Sequence, residues 1–186
     1  MAHINVIEPE DADGELKQIY NDLIQKRGKL AEVHKIQSLN PESIVRHMDF
    51  YMTIMFGKSP LKRYQREMMA VGVSATNKCE YCCKHHGAAL QNFWQDASTV
   101  DHLQKDYNSL NLSPLDNLIC EYAIALTNEP ETMAKSRYDN KLRQQGLSDR
   151  AILDATMVGS YFNFVNRMVL GLGVEVEDDE GKGYNY

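Results

Sequence analysis

Cys79, Cys82 and His86 fall three and four positions apart in the run Cys79-Glu80-Tyr81-Cys82-Cys83-Lys84-His85-His86. If the segment is helical, that spacing sets all three on one face. Two thiols one turn apart can close and reopen a disulfide. An imidazole beside them can exchange the proton that thiol chemistry moves. Upstream stands Glu67, on the edge of an apolar stripe made by Tyr64, Met68, Val71 and Ala75.

Asn77-Lys78 is the natural break between the segments carrying Glu67 and the thiols. The first turn of a helix holds unpaired N–H groups and a partial positive charge. Cys79 and Cys82 are therefore expected to be more acidic than a free thiol at about 8.5. Glu67 lies ten residues before the turn and His86 eight after it. In an antiparallel pair their depths would differ by only about 3 Å, so Glu67 would face His86. A carboxylate in an apolar pocket is expected to have a raised pKa and to suit general-base work.

Neighbouring residues keep more than one reading. Cys83 could compete as resolving thiol or be a packed, inert one. His85 lines the pocket or faces solvent, and Tyr81 donates a hydrogen bond in the site or closes the core. Cys120 is expected in the core, and His3, His34, His47 and His102 read as scattered surface or core residues. A structural zinc site would use Cys79, Cys82 or Cys83 and His86, but zinc normally takes two separated ligand pairs and no second pair is spaced for it. A dithiol that only senses oxidation is a further alternative.

The elements that must position these groups are helical, and strand signals are nearly absent. Helical spacing covers Asp11 to Lys26, with Gly28 as a stop. Pro41 opens a stretch with Ile44, Val45, Met48 and Met52 on one face. Ser59-Pro60 and Ser113-Pro114 each read as a serine cap with proline at the first helical position. They predict helices to about Thr76 and Asn128. Between them come Cys79–Phe93 and a short helix near Ser98–Lys105. Thr132–Gln145 should end at Gly146, and Ser148 should cap a helix to about Leu170. That last helix is apolar on nearly every side around Tyr161–Val165, so it is expected to be buried in the core or against another subunit. The prediction is one all-α domain over residues 1–172, a bundle of seven to eight helices, with a solvated acidic tail over 173–186.

Length and composition fit a single soluble domain. The net charge of −6 offers no basic stripe, which argues against nucleic-acid binding. The amino terminus lacks the pattern of a signal peptide. No apolar run approaches the roughly 18–20 residues needed to span a bilayer, so a cytoplasmic protein is expected. In that reducing compartment, clustered cysteines point to redox catalysis or metal binding.

Arg66-Glu67, Asn77-Lys78-Cys79-Glu80-Tyr81-Cys82 and His85-His86-Gly87 together resemble the alkylhydroperoxidase D-like proteins of the carboxymuconolactone decarboxylase superfamily, in particular their peroxidase-related subgroup. Ile7–Gly14, Ser38-Leu39-Asn40-Pro41 and Phe162–Arg167 extend the resemblance over most of residues 5–172. It implies an all-α fold that assembles into homo-trimers or hexamers, and a thiol peroxidase reducing organic hydroperoxides or hydrogen peroxide. By position, Cys82 would be the peroxidatic thiol, Cys79 its resolving partner, Glu67 the base and His86 the relay. No bound cofactor is implied; an external dithiol, a lipoyl domain or a thioredoxin-like protein, would restore the thiols. Tyr81 stands where the best-studied branch has a histidine.

Overall fold

The structure, a computed structural model, describes residues 2–177. Among them are ten α-helical segments and no strand. The helices are α1 (Gly14–Arg27), α2 (Glu32–Lys35), α3 (Pro41–Tyr51), α4 (Arg63–Thr76), α5 (Glu80–Trp94), α6 (Ala97–Lys105), α7 (Pro114–Asn128), α8 (Met133–Ser136), α9 (Tyr138–Gln144) and α10 (Asp149–Leu172). The all-α expectation holds, and the count exceeds seven to eight for local reasons. α2 is a single turn, too short to show a period. The segment Thr132–Gln145 is not one helix: Arg137 takes a left-handed φ of 51° and separates α8 from α9, its guanidinium held 3.0 Å from Asp139.

α4 is the centre of the bundle. Every residue from Gln65 to Ser74 is buried, and the helix packs against α5, α6, α7 and α10. Its sequence shows one apolar stripe, yet polar Gln65, Arg66, Glu67 and Ser74 are enclosed as well. Each must then find a partner inside the protein. Gln65 donates to Asp116 at 2.7 Å. Arg66 reaches the carbonyls of Ile54 and Gly57 at 3.0 and 3.1 Å.

Ser59-Pro60 does not open α4. The Ser59 hydroxyl donates to Asp154 on α10 at 2.6 Å, and α4 starts later, with the Gln65 side chain accepting from the Lys62 N–H at 2.9 Å. The matching Ser113-Pro114 pair does begin a helix: Ser113 Oγ accepts from the Asp116 N–H at 3.1 Å. Ser148 caps α10 in the same way, on Ala151.

α3 runs into a π-helical turn, Met52–Phe56, which the helical pattern does not reveal. Met52, at the head of the turn and still bonded to Met48 O, is exposed rather than on the buried face with Ile44. Gly57 ends the turn, donating to Met52 O at 2.9 Å. A Cβ there would lie 2.2 Å from the Thr53 carbonyl oxygen, so the turn requires glycine.

α10 is buried along one side only. Leu153, Phe164 and Leu170 are exposed, so the expectation of burial all round fails within a single chain. Past α10, residues 174–177 fold back, and Glu177 accepts from the Glu32 N–H at 3.1 Å. The part of the acidic run that includes Glu177 is therefore docked rather than solvated; residues 178–186 lie outside the described residues. Among the described residues no helix is long and apolar enough to cross a membrane.

α4 and α5 form the expected hairpin. Asn77 ends α4, Lys78 turns with φ 57°, and the Cys79 N–H donates to Ser74 O at 2.8 Å. The Asn77 amide donates to Asn163 and Asn166 of α10 at 3.0 and 2.9 Å, anchoring the turn to the last helix. A β-branched residue tolerates a left-handed φ poorly. Lys78→Val should therefore cost about 1–2 kcal/mol in urea unfolding, whereas Lys78→Gly should stay within about 1 kcal/mol of wild type.

Candidate functional site

Glu67 is wholly enclosed, and a guanidinium and an imidazole hold its carboxylate. Arg63, one turn earlier on α4, pairs with Oε1 while lying over the Phe56 ring at 4.0 Å. Across the hairpin, His86 Nδ1 lies 2.7 Å from Oε2. A carboxylate only accepts, so Nδ1 carries the proton of that bond. Burial alone would raise the Glu67 pKa, but the charge and hydrogen bond of His86, with those of Arg63, bring it below the ordinary value. The expected raised carboxylate is thus corrected: the pocket is apolar around Glu67 but not at its oxygens. The His86 ring is fixed edge-to-face on Phe162, with centroids 4.5 Å apart.

Cys79 and Cys82 are both free and buried. They contact each other and are tuned in opposite directions. The hydrogen bond from Cys82 lowers Cys79 against the effect of burial, with help from the Asn166 side chain. Cys82 holds its proton for Cys79, and burial adds to that, so its pKa lies well above the ordinary thiol value. The expectation that the helix terminus acidifies both is overturned for Cys82. One charge can be shared between two touching thiols, and the second is resisted.

Access separates the thiols the other way. Cys79 has no exposed surface. Cys82 lines a small cavity of about 70 Å³, shared with His86, Tyr81, His85, Tyr51 and Tyr161. Tyr81 stacks on His85 at 4.2 Å and donates to Glu177 at 3.1 Å. His85 Nε2 lies 2.6 Å from the other Glu177 oxygen. Burial would raise Glu177, but His85 and the Glu32 N–H take it down to about 2. Glu177 thus braces two residues of the cavity wall, Tyr81 and His85.

Cys83 faces away, toward α6, in a groove with Val100 and Gln104; burial pushes its pKa up to about 12. Cys120 sits in the core, likewise at about 12 through burial. Among the described residues no three His, Cys, Asp or Glu side chains converge as a metal-ligand set, so the zinc alternative has no ligand set there.

His34 and His47, read from sequence as scattered, both line the Cys82 cavity. A usable signal existed for His47, which falls between Ile44 and Tyr51 on the buried side of α3. Asn166 was available too, as a polar residue inside an apolar stretch of α10. Arg63 stands four residues before Glu67, the spacing of a helical ion pair. Nothing local marks Glu177.

A model of the carboxymuconolactone decarboxylase family matches residues 43–103, the stretch holding Glu67, both thiols and His86. A peroxidase-related protein from Silicibacter sp. TM1040 has the same fold, with a TM-score of 0.86 and 26% identity over 97% of this chain and 94% of that one. An uncharacterized peroxidase-related protein with an AhpD core, from Ralstonia eutropha JMP134, also reaches 0.86, at 21% identity over 97% and 94%. The chain has the fold of AhpD-like proteins, and its residues 43–103 match the carboxymuconolactone decarboxylase family. The debrominase Bmp8 shares the fold of this AhpD-like chain, with a TM-score of 0.78 and 16% identity over 96% and 94%. No curated protein matches in sequence.

In this AhpD-like chain the folded Glu67 carboxyl is more acidic than an unfolded glutamate at about 4.3. Its charge therefore favours folding above that value, and the contribution fades as pH falls from there toward its lower folded value. Glu67→Gln should lower stability at pH 7 by about 3 kcal/mol, because Arg63 loses its partner, and should shrink the acid-dependent loss between pH 5 and 3. Urea unfolding across that range checks both.

Proposed function

We propose that the protein is a thiol-dependent peroxidase that reduces organic hydroperoxides or hydrogen peroxide through a Cys79/Cys82 dithiol–disulfide cycle. One observation carries the reading: the thiol that meets the cavity, Cys82, has a second thiol one turn away and an imidazole held by a buried carboxylate beside it. The accessible thiol is also the one that keeps its proton, so the cycle needs a base at that point. His86 takes the Cys82 proton, and the charges of Glu67 and Arg63 hold the imidazole in the tautomer and position for it. The Cys82 thiolate attacks the distal peroxide oxygen. An S–O bond forms as the O–O bond breaks, and alcohol or water leaves once the departing oxygen is protonated, giving a sulfenic acid. The Cys79 thiolate then attacks the Cys82 sulfur; the S–S bond forms as the S–O bond breaks, and the departing hydroxide takes a proton from solvent and leaves as water. An external dithiol, from a lipoyl domain or a thioredoxin-like protein, reopens it. We further propose that the protein works in the cytoplasm as a trimer or hexamer, with the exposed side of α10 as a candidate contact.

Reduced protein mixed with ethyl hydroperoxide should lose two thiols per chain, mapped by mass spectrometry to Cys79 and Cys82. Cys82→Ser should abolish the reaction. Peroxide consumption should continue past one equivalent with excess dithiol. If consumption stops at one equivalent, the protein is a sensor rather than an enzyme. If the thiols are lost to 2,3,4-tribromopyrrole and not to any hydroperoxide, the substrate class proposed here is wrong.

A further inference from the structure

A polar chain from Gln37 through His47 to Tyr161 reaches the cavity that Cys82 lines, and the cycle above does not use it. Gln37 Nε2 donates to the Val33 carbonyl at 2.7 Å, which fixes the orientation of the amide. Its second hydrogen points at His47 Nδ1, 2.8 Å away. Nδ1 must then accept, so the neutral ring carries its proton on Nε2. Burial keeps the ring neutral, moving the His47 pKa down to about 4. His47 Nε2 lies 2.5 Å from the Tyr161 hydroxyl, so in that tautomer the imidazole donates and the phenol oxygen accepts.

The Tyr161 hydroxyl hydrogen is thereby left to point elsewhere. Among the described residues His47 is the hydroxyl's one hydrogen-bond partner, and the tyrosine lines the cavity that holds Cys82. Its ring is locked between Tyr51 at 6.0 Å and Phe162 at 5.1 Å. From this geometry, and on the peroxidase reading above, we infer that Tyr161 is the acid that protonates the departing peroxide oxygen, with His47 as the residue that positions it.

The step balances. As the Cys82 sulfur bonds the distal oxygen and the O–O bond breaks, the proximal oxygen leaves with the electron pair and takes the Tyr161 proton. The phenolate that remains accepts the hydrogen bond from His47 Nε2–H. The proton that His86 removed from Cys82 returns through the cavity to Tyr161. Thiol and hydroperoxide become sulfenic acid and alcohol, with no further reactant.

This role depends on how basic the leaving group is. An alkoxide departs badly without a proton, and a carboxylate departs well without one. Ethyl hydroperoxide and peracetic acid are of similar size and differ in that respect. Single-turnover oxidation of Cys82 should slow about 100-fold in Tyr161→Phe with ethyl hydroperoxide, and by only a few-fold with peracetic acid. Equal slowing with both, or none with ethyl hydroperoxide, would overturn the assignment. Wild-type protein inert toward both peroxides would remove the peroxidase reading itself, and Tyr161's role with it. Nitrogen NMR of wild-type protein tests the positioning half without any variant. The expected result is a His47 ring protonated at Nε2 and bare at Nδ1 at neutral pH; a proton on Nδ1 would break the chain and the inference with it.

Discussion

The buried Glu67 carboxylate is the constraint on which the rest of the site depends. An ionised carboxylate without partners in the middle of a helical bundle would be expelled or neutralised. Here Arg63 and His86 hold its two oxygens, so its charge survives burial. The consequence is geometric as well as electrostatic. Glu67 can keep its charge only if α5 lies against α4 in the register that brings His86 opposite, and that register sets Cys82 in the cavity that His86 lines. The Asn77–Asn163–Asn166 cluster fixes the other end of the same hairpin on α10, where Asn166 also reaches both thiols. Charge at one end and amides at the other define the hairpin.

A division between the two thiols follows from that arrangement. Cys79 is acidic but sealed; Cys82 is reachable but keeps its proton. Neither is a ready nucleophile alone. In the proposed cycle they act together: the reachable thiol attacks when the imidazole accepts its proton, and the sealed sulfur beside it resolves the product. Sealing Cys79 also ensures that a peroxide meets one sulfur and not the other. Cys83, one residue further, escapes this chemistry because the helix turns it toward α6.

What the sequence made legible was local periodicity and spacing. The C-x-x-C with a histidine one turn on, the hairpin at Asn77-Lys78 and the Ser113 and Ser148 caps depend on residues within a few positions, and the structure has them. The failures share a different cause. Ser59 resembled a cap, but its hydroxyl is claimed by Asp154 far along the chain. The π turn at Met52–Phe56 leaves no mark in the apolar pattern. Glu67 was assigned a raised pKa because the apolar neighbours are sequence-local, while the decisive His86 contact is made across the hairpin. His34, His47, Tyr161 and Glu177 come from four separate segments and meet only when the bundle closes.

In the proposed activation, Glu67 acts on Cys82 through His86. A double-mutant cycle measures that directly: the rate of Cys82 alkylation by iodoacetamide at neutral pH in wild type, Glu67→Gln, His86→Gln and the double variant. Each single change should slow alkylation at least about tenfold, and the double variant should be no slower than His86→Gln alone. If the two effects multiply instead, Glu67 and His86 act on the thiol independently, and this account of its activation is wrong.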